Sequence, residues 1–281
     1  MRKVFVVTMM AVLAAAPLSA ADDYVERMSR EHAADKPLSS PAARTPPAGE
    51  IAEEEVEYAA LDAGKIKGFL AYPKGGAEAP GIIVIHEWWG LNDNIRAMAR
   101  RLAGEGYQAL AVDLYEGRTA ERREDASALM KEAMGSSRRL EENLRQAYAF
   151  LEEERKAPRV GVIGWCFGGG WSLQTALLLP DAIDATVIYY GRLVTDPGVL
   201  EALNMPILGI FGSLDRGIPV ESVRKFEEAL RSLGKDAAIH VYEGAGHAFA
   251  NPSGTRYQED AALDAWEKTV AFFARNLREG P

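Results

Sequence analysis

Cysteine occurs once in this 281-residue chain, at Cys166. One thiol cannot close an internal disulfide, so no disulfide framework holds the fold. Histidine is nearly as scarce, with four residues. Basic residues are in deficit, 32 Lys and Arg against 41 Asp and Glu, for a formal charge of −9. The chain also lacks a basic cluster, which excludes nucleic acid as a partner and argues against an anionic membrane surface. There is no internal repeat and no low-complexity block outside a Pro-, Ala- and Ser-rich stretch near the start.

The N-terminus carries an address. Arg2 and Lys3 precede an apolar run, Val4 to Leu18, and then Ser19-Ala20-Ala21. A basic start, a short apolar middle and small residues read as a secretory signal peptide over residues 1–21. The run is shorter than the roughly 20 residues that span a bilayer, and an uncleaved anchor is the alternative reading. Cleavage after Ala20 or Ala21 would leave an exported, periplasmic protein with no stable membrane association. Loss of Arg2 and Lys3 takes the formal charge from −9 to about −11. Residues 22–50 read as a tail with a short helix, Asp23–His32, and a loose linker; Tyr24–Met28 could cover the active-site cleft or dock another surface. Residues 51–281 are long enough for one large domain.

Within that domain strands and helices alternate. Strand-like runs are Val56–Leu61, Ile66–Tyr72, Gly81–His86, Gln108–Asp113, Arg159–Gly164, Ala185–Tyr190, Pro206–Phe211 and Ala238–Tyr242. The first two lack a helix between them and predict an antiparallel hairpin. The unbroken apolar run Ile82-Ile83-Val84-Ile85 is what a strand covered on both faces requires. The fold class is therefore α/β, a mostly parallel, doubly covered sheet.

The lone cysteine lies in Gly164-Trp165-Cys166-Phe167-Gly168, after a strand and before a helix. The default for a free cysteine is a small buried hydrophobe. G-x-nucleophile-x-G at a strand-to-helix junction is instead the pattern of a nucleophile elbow, a turn so tight that its flanks tolerate only small residues. The helix that follows offers amides and a dipole to a thiolate. An elbow needs an acid and then a base further along the chain. Asp215, in the loop after Pro206–Phe211, is placed to be the acid, with helix capping as its plain alternative. His247, in the glycine-rich loop after the last strand, is placed to be the base. His32 falls in the tail, His86 before the nucleophile and His240 inside a strand. The pair His86 and His240 has no third ligand at suitable spacing, so no metal is expected, and no cofactor is implied. Backbone amides of Trp88 and Phe167 are candidates for an oxyanion hole. Glu87, beside two tryptophans, is placed to take the thiol proton or to stay protonated in a dry pocket.

These residues resemble the dienelactone hydrolase family of α/β-hydrolases. The resemblance runs from about Ile51 to Asn276. It is carried by Glu87 in H-E-W-W-G-L-N, Asp113 in V-D-L-Y, Cys166 in G-W-C-F-G-G, Asp215 in G-S-L-D and His247 in G-A-G-H-A-F. It implies the α/β-hydrolase fold and a Cys–Asp–His triad that hydrolyses an ester or lactone of a small molecule through a thioester. Glu87 would accept the thiol proton, and Arg123, with Arg122 or Arg118 as substitutes, would bind a substrate carboxylate. Two features depart from the family pattern. Asn251 stands where a second arginine is expected after the histidine, and Ser127 where a tyrosine is expected. Both departures should weaken recognition of an acidic lactone. A monomer is expected. The alternatives are a general carboxylesterase or other acyl hydrolase on the same fold, and a non-catalytic thiol sensor or ligand-binding protein.

Overall fold

The computed structural model describes residues 18–62, 64–76 and 78–279. Most of the expected signal segment, residues 1–17, lies outside them. Eight strands form one sheet: β1 (Ile51–Leu61), β2 (Gly64–Pro73), β3 (Gly81–Ile85), β4 (Gln108–Val112), β5 (Val160–Trp165), β6 (Ala185–Tyr189), β7 (Ile207–Gly212) and β8 (Ala237–Tyr242). The helices are α1 (Leu18–Glu31), α2 (Pro41–Arg44), α3 (Asp93–Gly104), α4 (Arg123–Gly135), α5 (Ser137–Ala149), α6 (Phe167–Leu178), α7 (Pro197–Leu200), α8 (Val220–Ser232) and α9 (Glu259–Phe273). Short π-helical turns, Phe150–Glu154 and Ala274–Glu279, extend α5 and α9. No helix among the described residues is long and apolar enough to cross a membrane.

The sheet order is β1-β2-β4-β3-β5-β6-β7-β8. β2 pairs antiparallel with both β1 and β4, and every other pairing is parallel. The expected hairpin is present, and β2 alone runs against the rest. β3, β4, β5, β6 and β7 are buried along their whole lengths, as strands covered on both faces must be. β1 is an edge and carries Glu53, Glu54 and Glu55. Charge there discourages pairing with another chain. These acids are exposed and also meet arginines from neighbouring elements. Glu53 accepts two hydrogen bonds from Arg100, and Glu55 and Glu54 pair with Arg96 and Arg155.

The chain leaves β3 to one side for β4 and returns to the other side for β5. This reversal opens a crevice at the carboxyl ends of β3 and β5, where ligands bind in open α/β sheets. The loops after β3, β5, β7 and β8 all emerge at that end. They carry Glu87, Cys166, Asp215 and His247. A Cβ placed on Gly164 would lie 2.2 Å from the carbonyl oxygen of Gly168. A Cβ on Gly168 would lie 2.3 Å from that of Ile85. Both neighbours are backbone and cannot turn aside. Gly164→Ala should therefore destabilise the fold by about 3 kcal/mol or more, read from urea unfolding. A loss under about 0.5 kcal/mol, the usual scatter of surface changes, would mean that the turn is looser than described.

Candidate active site

Cys166 sits on the turn between β5 and α6 with φ 55° and ψ −112°. A non-glycine residue pays steric strain at such a positive φ, and strain of this kind is kept where function over-determines the backbone. The turn is held by the Cys166 amide, which donates to the Tyr189 carbonyl at 3.0 Å. Phe167 is the first residue of α6, and the first amides of a helix have no acceptor within it. The thiol thus stands at a helix N-terminus, with Cys166 fully buried.

His247 follows β8 and Asp215 follows β7. The His247 Nδ1 meets Asp215 Oδ2 at 2.7 Å, with both side chains buried. The Asp215 Oδ1 accepts from the amides of Gly217 and Ile218, at 2.7 and 2.8 Å, which locks the carboxylate. The other nitrogen, His247 Nε2, has no hydrogen-bond partner and lies within 4.8 Å of Cys166 Sγ. Burial alone would push the thiol up and the imidazole down. The His247 and His32 imidazoles hold the Cys166 thiol below its ordinary range. Asp215 and Cys166 hold His247 above its own. The pair therefore favours thiolate and imidazolium.

Glu87 is fully buried and neither carboxylate oxygen finds a hydrogen-bond partner. Burial raises it to about 8, while the neighbouring Ser253 and Asn251 side chains pull the other way. Burial therefore favours its neutral, protonated form at pH 7. Trp88 and Trp89 are buried beside it. His86 has a structural task. Its Nε2 accepts from the Leu114 amide at 3.1 Å, so Nδ1 carries the proton toward the Glu87 carbonyl at 2.6 Å. Tyr189 and Tyr190 divide between core and site. Tyr189 hydrogen-bonds Thr269 and the Ala265 carbonyl, whereas Tyr190 sets its ring edge against His247 at 5.2 Å.

Two expectations change. Arg123 is not with these groups. It begins α4 at the surface and pairs with Glu124 at 3.0 Å. Its substitutes are also engaged, Arg122 with Asp125 and Arg118 with Glu132. A local alignment cannot see that a helix start turns the side chain outward. The second is the tail, whose docking the sequence leaves open. It covers Cys166. The expected helix Asp23–His32 is present in α1 up to Glu31; α1 packs against α4 and buries Tyr24, Val25 and Met28. Met28 Sδ is 4.0 Å from Cys166 Sγ, and its methyl lies over Gly217 so closely that a Cβ there would be 2.1 Å away.

His32, just after α1, was placed outside the site by sequence reasoning and lies inside it. Its Nε2 is 3.6 Å from Cys166 Sγ, and its ring stacks on Trp88 at 4.5 Å. Its Nδ1 meets Asp35 Oδ2 at 2.6 Å. Asp35 in turn takes hydrogen bonds from Thr255 at 2.8 Å and Arg256 at 3.2 Å; His32 first, and then Arg256 and Thr255, hold its carboxyl down at about 2 against the effect of burial. The available signal was H-x-x-D in a helix-forming stretch of an otherwise polar tail.

A thiol, a paired imidazole and carboxylate, and helix-terminal amides form the constellation of acyl-transfer chemistry. The dienelactone hydrolase family model matches residues 66–277, a span that holds Glu87, Cys166, Asp215 and His247. The chain belongs to the dienelactone hydrolase family. As a member of that family it is a hydrolase of ester or lactone bonds. Protein usf of Aquifex pyrophilus is 37% identical over 220 residues, covering 76% of this chain and 94% of that protein. A provisionally named carboxymethylenebutenolidase of Saccharolobus solfataricus is 33% identical over 269 residues, covering 79% and 98%. Among solved structures, a provisionally named dienelactone hydrolase from Klebsiella pneumoniae superposes with a TM-score of 0.72 at 28% identity, covering 81% of this chain and all of the other. The family match begins at Ile66, so α1, His32 and Asp35 lie outside it.

The buried tail gives two expectations. Tyr24→Asp combined with Val25→Asp should undock α1 and speed modification of Cys166 by a bulky disulfide reagent at least tenfold, followed by mass spectrometry. An unchanged rate would mean that the tail does not control access. In that opened variant the alkylation rate should fall as pH drops through a midpoint well below the roughly 8.5 of a free thiol. Asp215→Asn should move that midpoint up, because the His247 cation that favours the thiolate is lost.

Proposed function

We propose that this family member hydrolyses an ester or lactone of a small molecule by covalent catalysis through Cys166, with Asp215 and His247 completing a triad. The observation that carries the reading is the paired His247. Its Nδ1 is fixed on Asp215 at 2.7 Å while its unpartnered Nε2 lies near a thiol held on a strained turn. The thiolate attacks the carbonyl carbon, and amides of Trp88 and Phe167 receive the oxyanion. The alkoxide leaves with a proton from His247; in a lactone it stays tethered to the acyl group. His247 then takes a proton from water, which attacks the thioester and frees the acid.

Glu87 is the reserve of protons in this scheme. A neutral acid in a dry pocket can exchange a proton with the thiol as substrate displaces the tail, which its two unpartnered oxygens support. Arg256 takes the place we expected for Arg123. It binds the tail carboxylate of Asp35 at 3.2 Å, so a substrate carboxylate fits there once the tail withdraws. We place the protein in the periplasm, as a monomer, on the strength of its N-terminal sequence and acidic charge.

The test compares p-nitrophenyl acetate with a carboxylate-bearing lactone. Cys166→Ala should abolish turnover of both, and Glu87→Gln should lower kcat while the fold is kept, since glutamine matches a neutral acid in shape. Arg256→Gln should raise KM for the acidic lactone relative to the neutral ester by about tenfold, the cost of one charge-assisted contact. Wild-type turnover that survives in Cys166→Ala would remove the reading.

A further inference from the structure

One buried group has no place in the hydrolytic scheme. His32 comes from the tail, yet it sits on the nucleophile with its own carboxylate partner. The donor atoms of His32, Cys166 and His247 all lie within 4.8 Å of one another, and all three residues are buried. His32 Nε2 and Cys166 Sγ are 3.6 Å apart. Ligands on a tetrahedral zinc, at about 2.0 Å for nitrogen and 2.3 Å for sulfur, stand roughly 3.3–3.6 Å from each other. That edge is already formed, and the remaining two need a contraction of about 1.5 Å at most.

The groups behind the donors are also those of a metal site. Each imidazole turns Nε2 inward and has Nδ1 fixed on a carboxylate, His32 on Asp35 at 2.6 Å and His247 on Asp215 at 2.7 Å. Metal-bound histidines are held in this way, because the outer carboxylate sets the tautomer and aims the lone pair. His247 Nε2 is fully buried, aimed at the cluster and without a partner. Met28 Sδ, 4.0 Å from Cys166 Sγ, adds a thioether on the tail side. A thiolate and two imidazoles suit a borderline-soft divalent ion rather than magnesium or calcium.

We propose that His32, Cys166 and His247 form a zinc(II) site that exists only while the tail is docked. Binding releases the proton shared by Cys166 and His247 to solvent and makes one bond to sulfur and one to each imidazole, with a water molecule that the ion brings as the fourth ligand of the tetrahedron. The ion then occupies nucleophile and base together and pins the tail over them. Zinc is in this way a reversible inhibitor, and the tail supplies the third ligand that a bare Cys–His pair lacks.

Cobalt(II) reports the site without reliance on turnover. The full chain, kept reduced with a phosphine, is titrated with cobalt(II), and both the thiolate-to-cobalt charge-transfer band and the visible bands of a tetrahedral ion are followed. One equivalent should bind with both signatures, and zinc(II) should displace it. His32→Gln should weaken cobalt binding at least 100-fold, and Asp35→Asn about tenfold or more with the histidine intact. Circular dichroism checks that each variant is folded. Zinc should also inhibit ester hydrolysis at concentrations at least tenfold lower in wild type than in His32→Gln, with reversal by a chelator. Absence of the charge-transfer band at millimolar cobalt would overturn the proposal. So would equal cobalt affinity in wild type and His32→Gln, which would assign any binding to Cys166 and His247 alone. If the chain proved inactive on every ester, the cobalt spectrum would still decide the site.

Discussion

The site depends on one backbone conformation, the positive φ at Cys166. It turns the chain from β5 into α6 within a residue and so lifts the thiol out of the sheet. The same turn leaves the first amides of α6 beside the sulfur. It also forces Gly164 and Gly168 against neighbouring carbonyls, closer than any side chain allows. The strain is local, but the constraint reaches across the sheet. The Cys166 amide is held by Tyr189 on the next strand, and Tyr190 beside it sets its ring against His247. Parallel strands in fixed register bring loops from β3, β5, β7 and β8 to a common edge.

Burial then sets the chemistry. Three ionisable side chains, Cys166, Glu87 and His247, sit with almost no contact with water. In such a space charge survives only where a partner is provided. Asp215 provides it for His247, and His247 for the thiolate. Glu87 has no such partner and stays neutral. The two carboxyl groups of the site thus differ in their surroundings: Asp215 faces the His247 imidazole, and Glu87 has no cation within reach. The tail completes the desolvation. Tyr24, Val25 and Met28 remove water from the opening, and the His32–Asp35 pair repeats the His247–Asp215 pair beside the sulfur.

Much of this was legible before any coordinates. β3 could be read from Ile82-Ile83-Val84-Ile85, since an unbroken apolar run has few other uses. The hairpin of β1 and β2 followed from the missing helix between them. The elbow, Asp215 and His247 were found because chain order in this fold dictates loop order along the sheet edge. The site of Arg123 was not legible, because the direction of a side chain at a helix start depends on how α4 packs. The role of Arg256 was not legible either, since it is defined by a carboxylate far away in the chain.

The sequence by itself determined the strands, their covered faces, the turn that strains Cys166 and the loops that carry Asp215 and His247. These rest on local sterics, short-range periodicity and the order of loops along one sheet edge. Only the tertiary structure decided that a polar, proline-bearing tail folds over the nucleophile and delivers His32 to it. That contact spans 134 residues. It is held by a few buried side chains, by Arg256 paired with Glu31 and Asp35, and by Thr255, and no periodic pattern marks such pairings in advance. Tail docking is a matter of complementary surfaces, which exist only once the sheet has set the loops in place.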